Sequence, residues 1–330
     1  MDKFKAYRIH EIEKKTVARF EEIGIDELDQ GEVVIRVAYS CVNYKDALAA
    51  TGAGKVIRRF PCVGGIDLSG TVVESGDGRF TKGDAVIATS YDIGVSHDGG
   101  YGEYARIPAD WVVPMPRGMT LFEAMALGTA GYTAGLGVIR MEHNGLKPEN
   151  GPVVVSGATG GVGGIAIDIL SGLSYEVTAL TGKENESAYL KSLGAREVLL
   201  RSSLDLAKIR PLEKTLWAGG VDNLGGEVLA WMASNMRRGG TIASIGLAAS
   251  MSLNTTVAPF ILRGVSLLGI DSGYTPMPLR REVWRRLAND MKPNHLREMV
   301  HTVPFEEIGG TFDKLIKGQM RGRFVLDMAA

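Results

Sequence analysis

Residues 158–163 of this 330-residue chain read Ala158-Thr159-Gly160-Gly161-Val162-Gly163. They lie between a β-branched run, Val153-Val154-Val155, and a second apolar stretch, Ile165-Ala166-Ile167-Asp168-Ile169-Leu170. That order reads as strand, tight turn and helix. Such a turn aims backbone N–H groups at a helix N-terminus, where a pyrophosphate can sit without steric conflict. The spacing departs from a strict G-x-G-x-x-G, because Ala158 stands at the first glycine position. Glycine triplets also arise by chance in a chain with 43 glycines. The flanking strand and helix, and a further strand ending at Leu180, give this one the interval of a dinucleotide-binding unit.

The tip of that further strand carries cofactor preference. NAD sites commonly hold Asp or Glu there, bonded to the ribose hydroxyls. Here the tip is Thr181-Gly182-Lys183. No carboxylate repels a 2′-phosphate, Lys183 supplies a cation and Thr181 a hydroxyl, which favours NADPH. Glu184 follows directly and works against the preference.

The elements that must position these residues are legible along the chain. The first 120 residues are β-rich, with strand composition at 33–40, 70–74 and 84–89 and turns at Gly76-Asp77-Gly78 and Lys82-Gly83-Asp84. Thr120 with Glu123 forms a capping box for a long apolar helix to Met141, interrupted at Gly128 and Gly131. Strands and helices then alternate: strands at 153–155, 175–180, 197–200, 219–222, 240–246 and 265–270, and helices at 184–193 and 226–236. Gly194 closes the first of these helices. Alternation of this kind predicts an α/β fold with a doubly wound parallel sheet. A basic amphipathic helix at 279–291 and a short strand at 323–327 complete the chain.

Composition bounds the function classes. The chain is 45% hydrophobic and 23% charged, with a net charge of −1, so nothing calls for nucleic acid or a membrane surface. No apolar run is long enough for a transmembrane helix. Two cysteines, Cys41 and Cys62, argue against a disulfide framework, and a cytoplasmic location is expected. The length implies two domains.

Taken together, several stretches resemble the medium-chain dehydrogenase/reductase superfamily. They are Val42-Asn43-Tyr44-Lys45-Asp46-Ala47-Leu48, Gly65-Ile66-Asp67-Leu68-Ser69-Gly70-Thr71-Val72, Gly128-Thr129-Ala130-Gly131-Tyr132-Thr133-Ala134, the turn from Gly157 to Gly163, residues 189–195, residues 259–265 and Leu268-Gly269-Ile270-Asp271-Ser272. The resemblance runs essentially end to end and is nearest to the zinc-free quinone oxidoreductase branch that contains bacterial acryloyl-CoA reductases. It implies a Rossmann doubly wound sheet inserted in a GroES-like β-barrel catalytic domain. The implied domains are 1–123 for the first catalytic part, 124–272 for the NADP-binding domain and 273–330 for the catalytic return segment. The active site is expected in the cleft between the two domains.

Metal chemistry is tested against that resemblance. Asn43 and Tyr44 stand where zinc alcohol dehydrogenases carry a Cys-His pair, and Ile66 stands where they carry a second His. Neither Asn nor Ile matches the thiolate and imidazole donors that zinc prefers. His10, His97, His143, His295 and His301 show no ligand spacing, so no metal is expected. Without that Lewis acid, the fitting reaction is hydride transfer to an already electrophilic acceptor, an α,β-unsaturated carbonyl or a quinone.

The resemblance also implies residue roles. Tyr44 is the candidate catalytic donor to the developing enolate, with Asn43 and Asp46 behind it; Asp46 has the alternative of capping the following helix. Tyr44 is also expected beside the nicotinamide. Gly160, Gly161, Val162 and Gly163 would hold the pyrophosphate, and Thr181, Gly182, Lys183 and Arg201 would surround the 2′-phosphate. Leu247, Ile261 and Ser272 would flank the adenosine or nicotinamide ends. Lys55, Arg58 and Arg59 could meet the phosphates of a CoA thioester, or form a solvated loop. Residues 90–100 depart from the best-defined acryloyl-CoA reductases, and the loop Val221-Asp222-Asn223-Leu224-Gly225-Gly226 differs slightly from the usual one. The leading expectation is an NADPH-dependent reductase of acryloyl-CoA. The alternatives are an NADPH:quinone oxidoreductase and a non-catalytic NADPH-binding protein. A homodimer through the strand at 265–270 is the expected assembly.

Overall fold

The computed structural model describes residues 3–329. The chain runs through β1 (Phe4–Ile12), β2 (Lys15–Ile23), β3 (Val33–Val42), α1 (Tyr44–Thr51), β4 (Cys62–Val63), β5 (Asp67–Ser75), β6 (Ala85–Thr89), β7 (Tyr104–Ile107), β8 (Val112–Pro114) and α2 (Leu121–His143). It continues through β9 (Val153–Ser156), α3 (Gly161–Gly172), β10 (Val177–Thr181), α4 (Ser187–Ser192), β11 (Glu197–Leu200), β12 (Trp217–Asp222), α5 (Gly226–Ser234), β13 (Met236–Ser244), α6 (Ala258–Arg263) and β14 (Ser266–Gly269). It closes with α7 (Met277–Leu287), β15 (Val300–Pro304), α8 (Ile308–Ile316) and β16 (Arg323–Asp327). Among the described residues, no helix is long and apolar enough to cross a membrane.

The chain divides into two compact units. One comprises residues 1–129, 273–288 and 296–330, and the other residues 130–272 and 289–295. The first unit is thus built from both chain ends. Its larger sheet runs β15-β16-β3-β5-β6-β8, with β7 also on β3, and a smaller one runs β2-β1-β4. Strand β16 pairs antiparallel with β3, setting Val325 opposite Cys41 and Phe324 opposite Val42. Ile9, Ile35, Leu68, Tyr101, Phe305 and Phe312 lie in one buried core, so residues of the C-terminal segment pack with those of the first hundred.

The second unit holds a six-stranded sheet in the order β11-β10-β9-β12-β13-β14. All five ladders are parallel. Counting from β9, the order is that of a dinucleotide-binding sheet, reversing direction on either side of the first strand. The β-branched strand Val153-Val154-Val155 is fully buried, as a central parallel strand requires.

Several element ends differ from the sequence expectation. The helix expected at 184–193 is a 3-10 turn, Glu184–Glu186, followed by the short α4. Helix α5 stops at Ser234, because Met236 already pairs with Trp217 of β12. Helix α7 ends at Leu287, and residues 289–295 join the second unit. There the buried carboxylate of Asp168 in α3 accepts the backbone N–H groups of Asn294 at 3.1 Å and His295 at 2.8 Å.

Helix α2 begins with the expected box. The Thr120 N–H donates to Glu123 Oε2 at 2.9 Å, and the Glu123 N–H donates to Thr120 Oγ1 at 3.1 Å. Of the two glycines expected to interrupt it, Gly128 does, with φ 50° and ψ −156°, a conformation essentially confined to glycine. A Cβ there would stand 2.6 Å from Arg323 Nη2, 2.6 Å from Cys41 Sγ and 2.8 Å from Asp67 Oδ2. Gly128→Ala is therefore expected to lower unfolding stability by about 3 kcal/mol, combining backbone strain and overpacking. Urea denaturation measures this; a loss near zero would show that the kink tolerates a side chain.

Candidate functional site

The glycine-rich turn leaves β9 at Gly157, whose φ is +60°. The Gly160 N–H donates back to Gly157 O at 3.0 Å, and α3 starts at Gly161. A Cβ at position 163 would stand 2.4 Å from Gly157 O and 2.9 Å from Ala158 Cα, so only glycine lets the helix sit this close to the turn. The first-turn N–H groups of Gly161, Val162 and Gly163 have no acceptor within the helix. Gly160 is exposed and Gly161 and Val162 are half-buried, which leaves the N-terminus of α3 accessible to an anion. The turn and helix start fit a dinucleotide pyrophosphate.

A polar brace underlies the turn. Ser156 ends β9, and its hydroxyl donates to Asp222 Oδ1, at the end of β12, at 2.7 Å. Asp222 also accepts the N–H groups of Leu224 at 3.2 Å and Gly225 at 2.8 Å. Asn223 donates its N–H to Ser156 Oγ at 2.9 Å and its side-chain amide to Ser156 O at 2.7 Å. Burial raises the Asp222 carboxyl above the usual carboxylate range, opposed by these donors.

At the tip of β10, Thr181 is buried and its hydroxyl accepts the Lys183 N–H at 3.0 Å. That hydroxyl shapes the turn. Gly182 is exposed and Lys183 half-buried. Thr181 lies opposite Leu200, so β10 and β11 end side by side and Arg201 follows directly. Arg201 is exposed and lines a cleft of about 430 Å³ with Leu206, Gly225, Gly226, Ser250 and Asn254. Leu247 follows β13 and Ile261 sits on α6, both exposed; Ser272 is half-buried at the end of the unit's main segment.

In the first unit, Tyr44 is the first residue of α1 and is 52% exposed. The residues around it form a buried network. Asn43 is the N-cap of α1. Its N–H donates to Asp46 Oδ2 at 2.8 Å, and its side-chain amide donates to Asp46 Oδ2 at 3.0 Å and to Asp67 Oδ2 at 2.8 Å. Asp46 Oδ1 accepts the Ile66 N–H at 3.0 Å. Asp46 therefore braces the helix start. Only 2% exposed, it has no surface to offer a substrate. Burial, then the nearby charge of Asp67, raises its pKa to about 7.

Asp67 is the hub. Besides Asn43 it accepts the Cys41 thiol at 3.1 Å, the Thr129 N–H at 2.8 Å and the Thr129 hydroxyl at 2.5 Å. Arg323 closes the network, donating to Asn43 Oδ1 at 3.1 Å, Cys41 Sγ at 3.0 Å and Ala126 O at 3.1 Å. Neither Asp67 nor Arg323 stood among the expected site residues. Asp67 lies within a motif that was noted, but no sequence signal joins Arg323 to a turn 280 residues away. The donor set does not fit zinc. The Cys41 thiol donates to Asp67, the Arg323 guanidinium stands 3.0 Å from its sulfur, and Asn43 and Ile66 bring neither thiolate nor imidazole.

The basic cluster at 55–59 is paired in part with acidic side chains. Arg59 pairs with Asp29 and lies 3.5 Å from Asp98, and Arg58 is 3.7 Å from Asp92. Lys55 is exposed. The structure thus ties Arg59 to carboxylates of its own chain, where the sequence left a phosphate contact open.

Comparison with known proteins agrees with this architecture. Residues 29–117 match the alcohol dehydrogenase GroES-like domain family, and residues 161–291 match the zinc-binding dehydrogenase family. The chain is 48% identical to YhfP of Bacillus subtilis, a quinone oxidoreductase by name, over 93% of each protein. It is 44% identical to the acrylyl-CoA reductase AcuI of Ruegeria pomeroyi, over 96% of each. Among solved structures, the yhdH oxidoreductase of Salmonella enterica in complex with NADP superposes with a TM-score of 0.95 at 42% identity, covering 98% of this chain and 99% of that one. YhfP with NAD bound superposes with a TM-score of 0.97 at 46% identity, covering 99% and 100%. The chain belongs to the medium-chain dehydrogenase/reductase family, in the branch that holds these quinone and acrylyl-CoA reductases.

Proposed function

We propose that this protein is an NADPH-dependent, zinc-independent oxidoreductase that reduces the activated C=C of an α,β-unsaturated carbonyl, with acryloyl-CoA to propionyl-CoA as the reaction. The observation that carries the cofactor half is the pairing of a glycine turn with no room for a Cβ at Gly163 and a carboxylate-free tip at Thr181-Gly182-Lys183. The Salmonella relative solved with NADP supports the same cofactor. The substrate half rests on the 44% identity to the acrylyl-CoA reductase over nearly the whole chain. The 48% identity to a protein named as a quinone oxidoreductase favours a second reading, NADPH:quinone reduction.

When bound, NADPH would supply a hydride from nicotinamide C4 to the β-carbon of the acceptor, and a proton taken up from solvent at the α-carbon would complete the reduction. The chain's own contribution is electrostatic. Negative charge develops on the thioester oxygen, and an exposed phenol at the start of α1 can donate a hydrogen bond to it. Asn43 and Asp46 fix that helix start and so orient Tyr44. Asp67 and Arg323 hold Asn43 in turn. Lys183 and Arg201 serve the 2′-phosphate, and the N-terminus of α3 the pyrophosphate.

A homodimer is proposed through β14, the edge strand of the sheet, beside the exposed Ile261 and Leu262 of α6. Both cysteines are buried free thiols, which suits a reducing, cytoplasmic compartment.

Initial rates with NADPH against acryloyl-CoA, crotonyl-CoA and a naphthoquinone test the reading. The largest kcat/KM is expected with acryloyl-CoA; no turnover of any enoyl-CoA would refute it, and a dominant naphthoquinone rate would establish the second reading. Tyr44→Phe is expected to lower kcat about tenfold or more with little change in NADPH affinity. An unchanged kcat removes Tyr44 from the chemistry. Lys183→Ala is expected to weaken NADPH roughly tenfold more than NADH in equilibrium titrations, as loss of a charge-assisted phosphate contact requires. Equal losses for both cofactors would show that Lys183 makes no such contact.

A further inference from the structure

His97 sits in the 90–100 segment and is only 8% exposed. Its two ring nitrogens meet two backbone carbonyls. Nδ1 stands 2.9 Å from Asp98 O, and Nε2 stands 3.1 Å from Gln30 O, 67 residues earlier in the chain. A carbonyl oxygen only accepts hydrogen bonds. A neutral imidazole has one N–H and one lone pair, so it satisfies one of these carbonyls and turns its lone pair on the other. An imidazolium has two N–H groups and satisfies both. Turning the ring over would face carbon atoms to both oxygens and forfeit both bonds.

The charges on the packed elements suit a cation there. On its own segment are Asp98 and Asp92; the Asp92 carboxylate accepts the Tyr274 phenol and lies 3.7 Å from Arg58. Ahead of β3 is Asp29, whose N–H donates to Asp98 Oδ2 at 3.0 Å, and Glu32, which accepts the Ala109 N–H. Ahead of β4 is Arg59, paired with Asp29 and 3.5 Å from Asp98, and the Cys62 thiol contacts His97 O at 3.5 Å. Arg106 of β7 is turned to Gln30 Oε1. Trp111 packs against the imidazole with ring centroids 5.3 Å apart, and its neighbour Asp110 pairs with Arg79. Asp29 and Asp98 thus share one guanidinium, which leaves one negative charge for an imidazolium to balance.

We propose that His97 is a pH-sensitive clamp. As an imidazolium it donates from both nitrogens and ties the 90–100 segment to the turn ahead of β3. When its second proton leaves to solvent, it lets go of one carbonyl. Imidazoles exchange that proton between roughly pH 5 and 8, so the clamp works in the physiological range. The clamped segment is a tight unit: the N–H groups of Val95, Ser96 and His97 all donate to Asp92 O at 3.0 to 3.1 Å. It begins at Ser90 and Tyr91, whose φ values of 63° and 50° are left-handed and persist only under surrounding contacts. Ser90 Oγ lies 3.0 Å from Thr129 Oγ1, so the same segment reaches the Asp67 network. The inference stands apart from the cofactor and substrate readings.

Two measurements on the full chain test the clamp. Nitrogen NMR of the imidazoles, with His97 identified by the signals missing from His97→Gln, is expected to show both ring nitrogens protonated near about pH 6 and one near about pH 8. Amide hydrogen exchange over residues 95–98, corrected for its intrinsic rise with pH, is expected to be roughly three- to tenfold faster at the higher pH, the worth of one hydrogen bond. In His97→Gln, whose amide donates at either pH, that excess is expected to vanish. A neutral ring at the lower pH would overturn the proposal, and so would a ring that stays doubly protonated at both. Corrected exchange that is the same at both pH values, or an excess that survives in His97→Gln, would overturn it as well, since the segment would then be held by other contacts. If the glutamine variant folds poorly, NMR of the wild-type protein, assigned through its backbone, decides alone.

Discussion

The first unit depends on one buried carboxylate. Asp67 has no exposed surface, yet it collects donors from two separate parts of the chain: the thiol of Cys41 and amide of Asn43, and the N–H and hydroxyl of Thr129. A buried charge is tolerated only when it is fully hydrogen-bonded or paired. That requirement fixes much else. Thr129 can turn its N–H toward Asp67 only because α2 breaks at Gly128, and the break is possible only for glycine. Asn43 can bridge Asp67 and Asp46 only because it caps α1, and Tyr44 is the next residue. The exposed phenol is therefore held by a chain of contacts that ends in the core.

Arg323 shows why this network behaves unlike a metal centre. In a zinc site, a dication would neutralise thiolate and carboxylate together. Here a guanidinium contacts Cys41 and Asn43, and the Cys41 thiol donates to Asp67. The positive charge is covalently part of the fold and commits three of its bonds to Asn43, Cys41 and Ala126. Such a cation stabilises structure. It does not offer the open coordination position through which a Lewis acid would polarise a substrate.

The second unit presents the first-turn backbone N–H groups of α3 at the end of a central parallel strand. The sheet order brings β9 between β10 and β12, and the turn after β9 is shaped by close approaches that exclude any Cβ at Gly163. The Ser156–Asp222 bond ties the tips of β9 and β12 together, so the turn and the following loop are set as one piece. On the other side, the Thr181 hydroxyl closes the tip of β10. The tips of β9, β10 and β12 thus lie side by side in one parallel sheet.

The sequence by itself determined the parts that depend on local pattern. The strand–turn–helix at 153–170, the alternating order of the sheet, the box at Thr120 and the absence of a carboxylate at Lys183 follow from residue type and short spacing, which local physics reads directly. That Asn43 and Ile66 stand at zinc-donor positions was implied by the resemblance to zinc dehydrogenases; side-chain chemistry added only that neither residue is a thiolate or an imidazole. Tertiary structure decided the rest. The meeting of Arg323 with Asn43 needs β16 to pair with β3, and the sequence carries no mark of that register. The engagement of Arg59 with Asp29, the burial of Thr181 and the meeting of His97 with Gln30 likewise arise only when distant segments close around them. A hydrogen bond requires two groups within about 3 Å, and for groups far apart in the chain only the completed fold sets that distance.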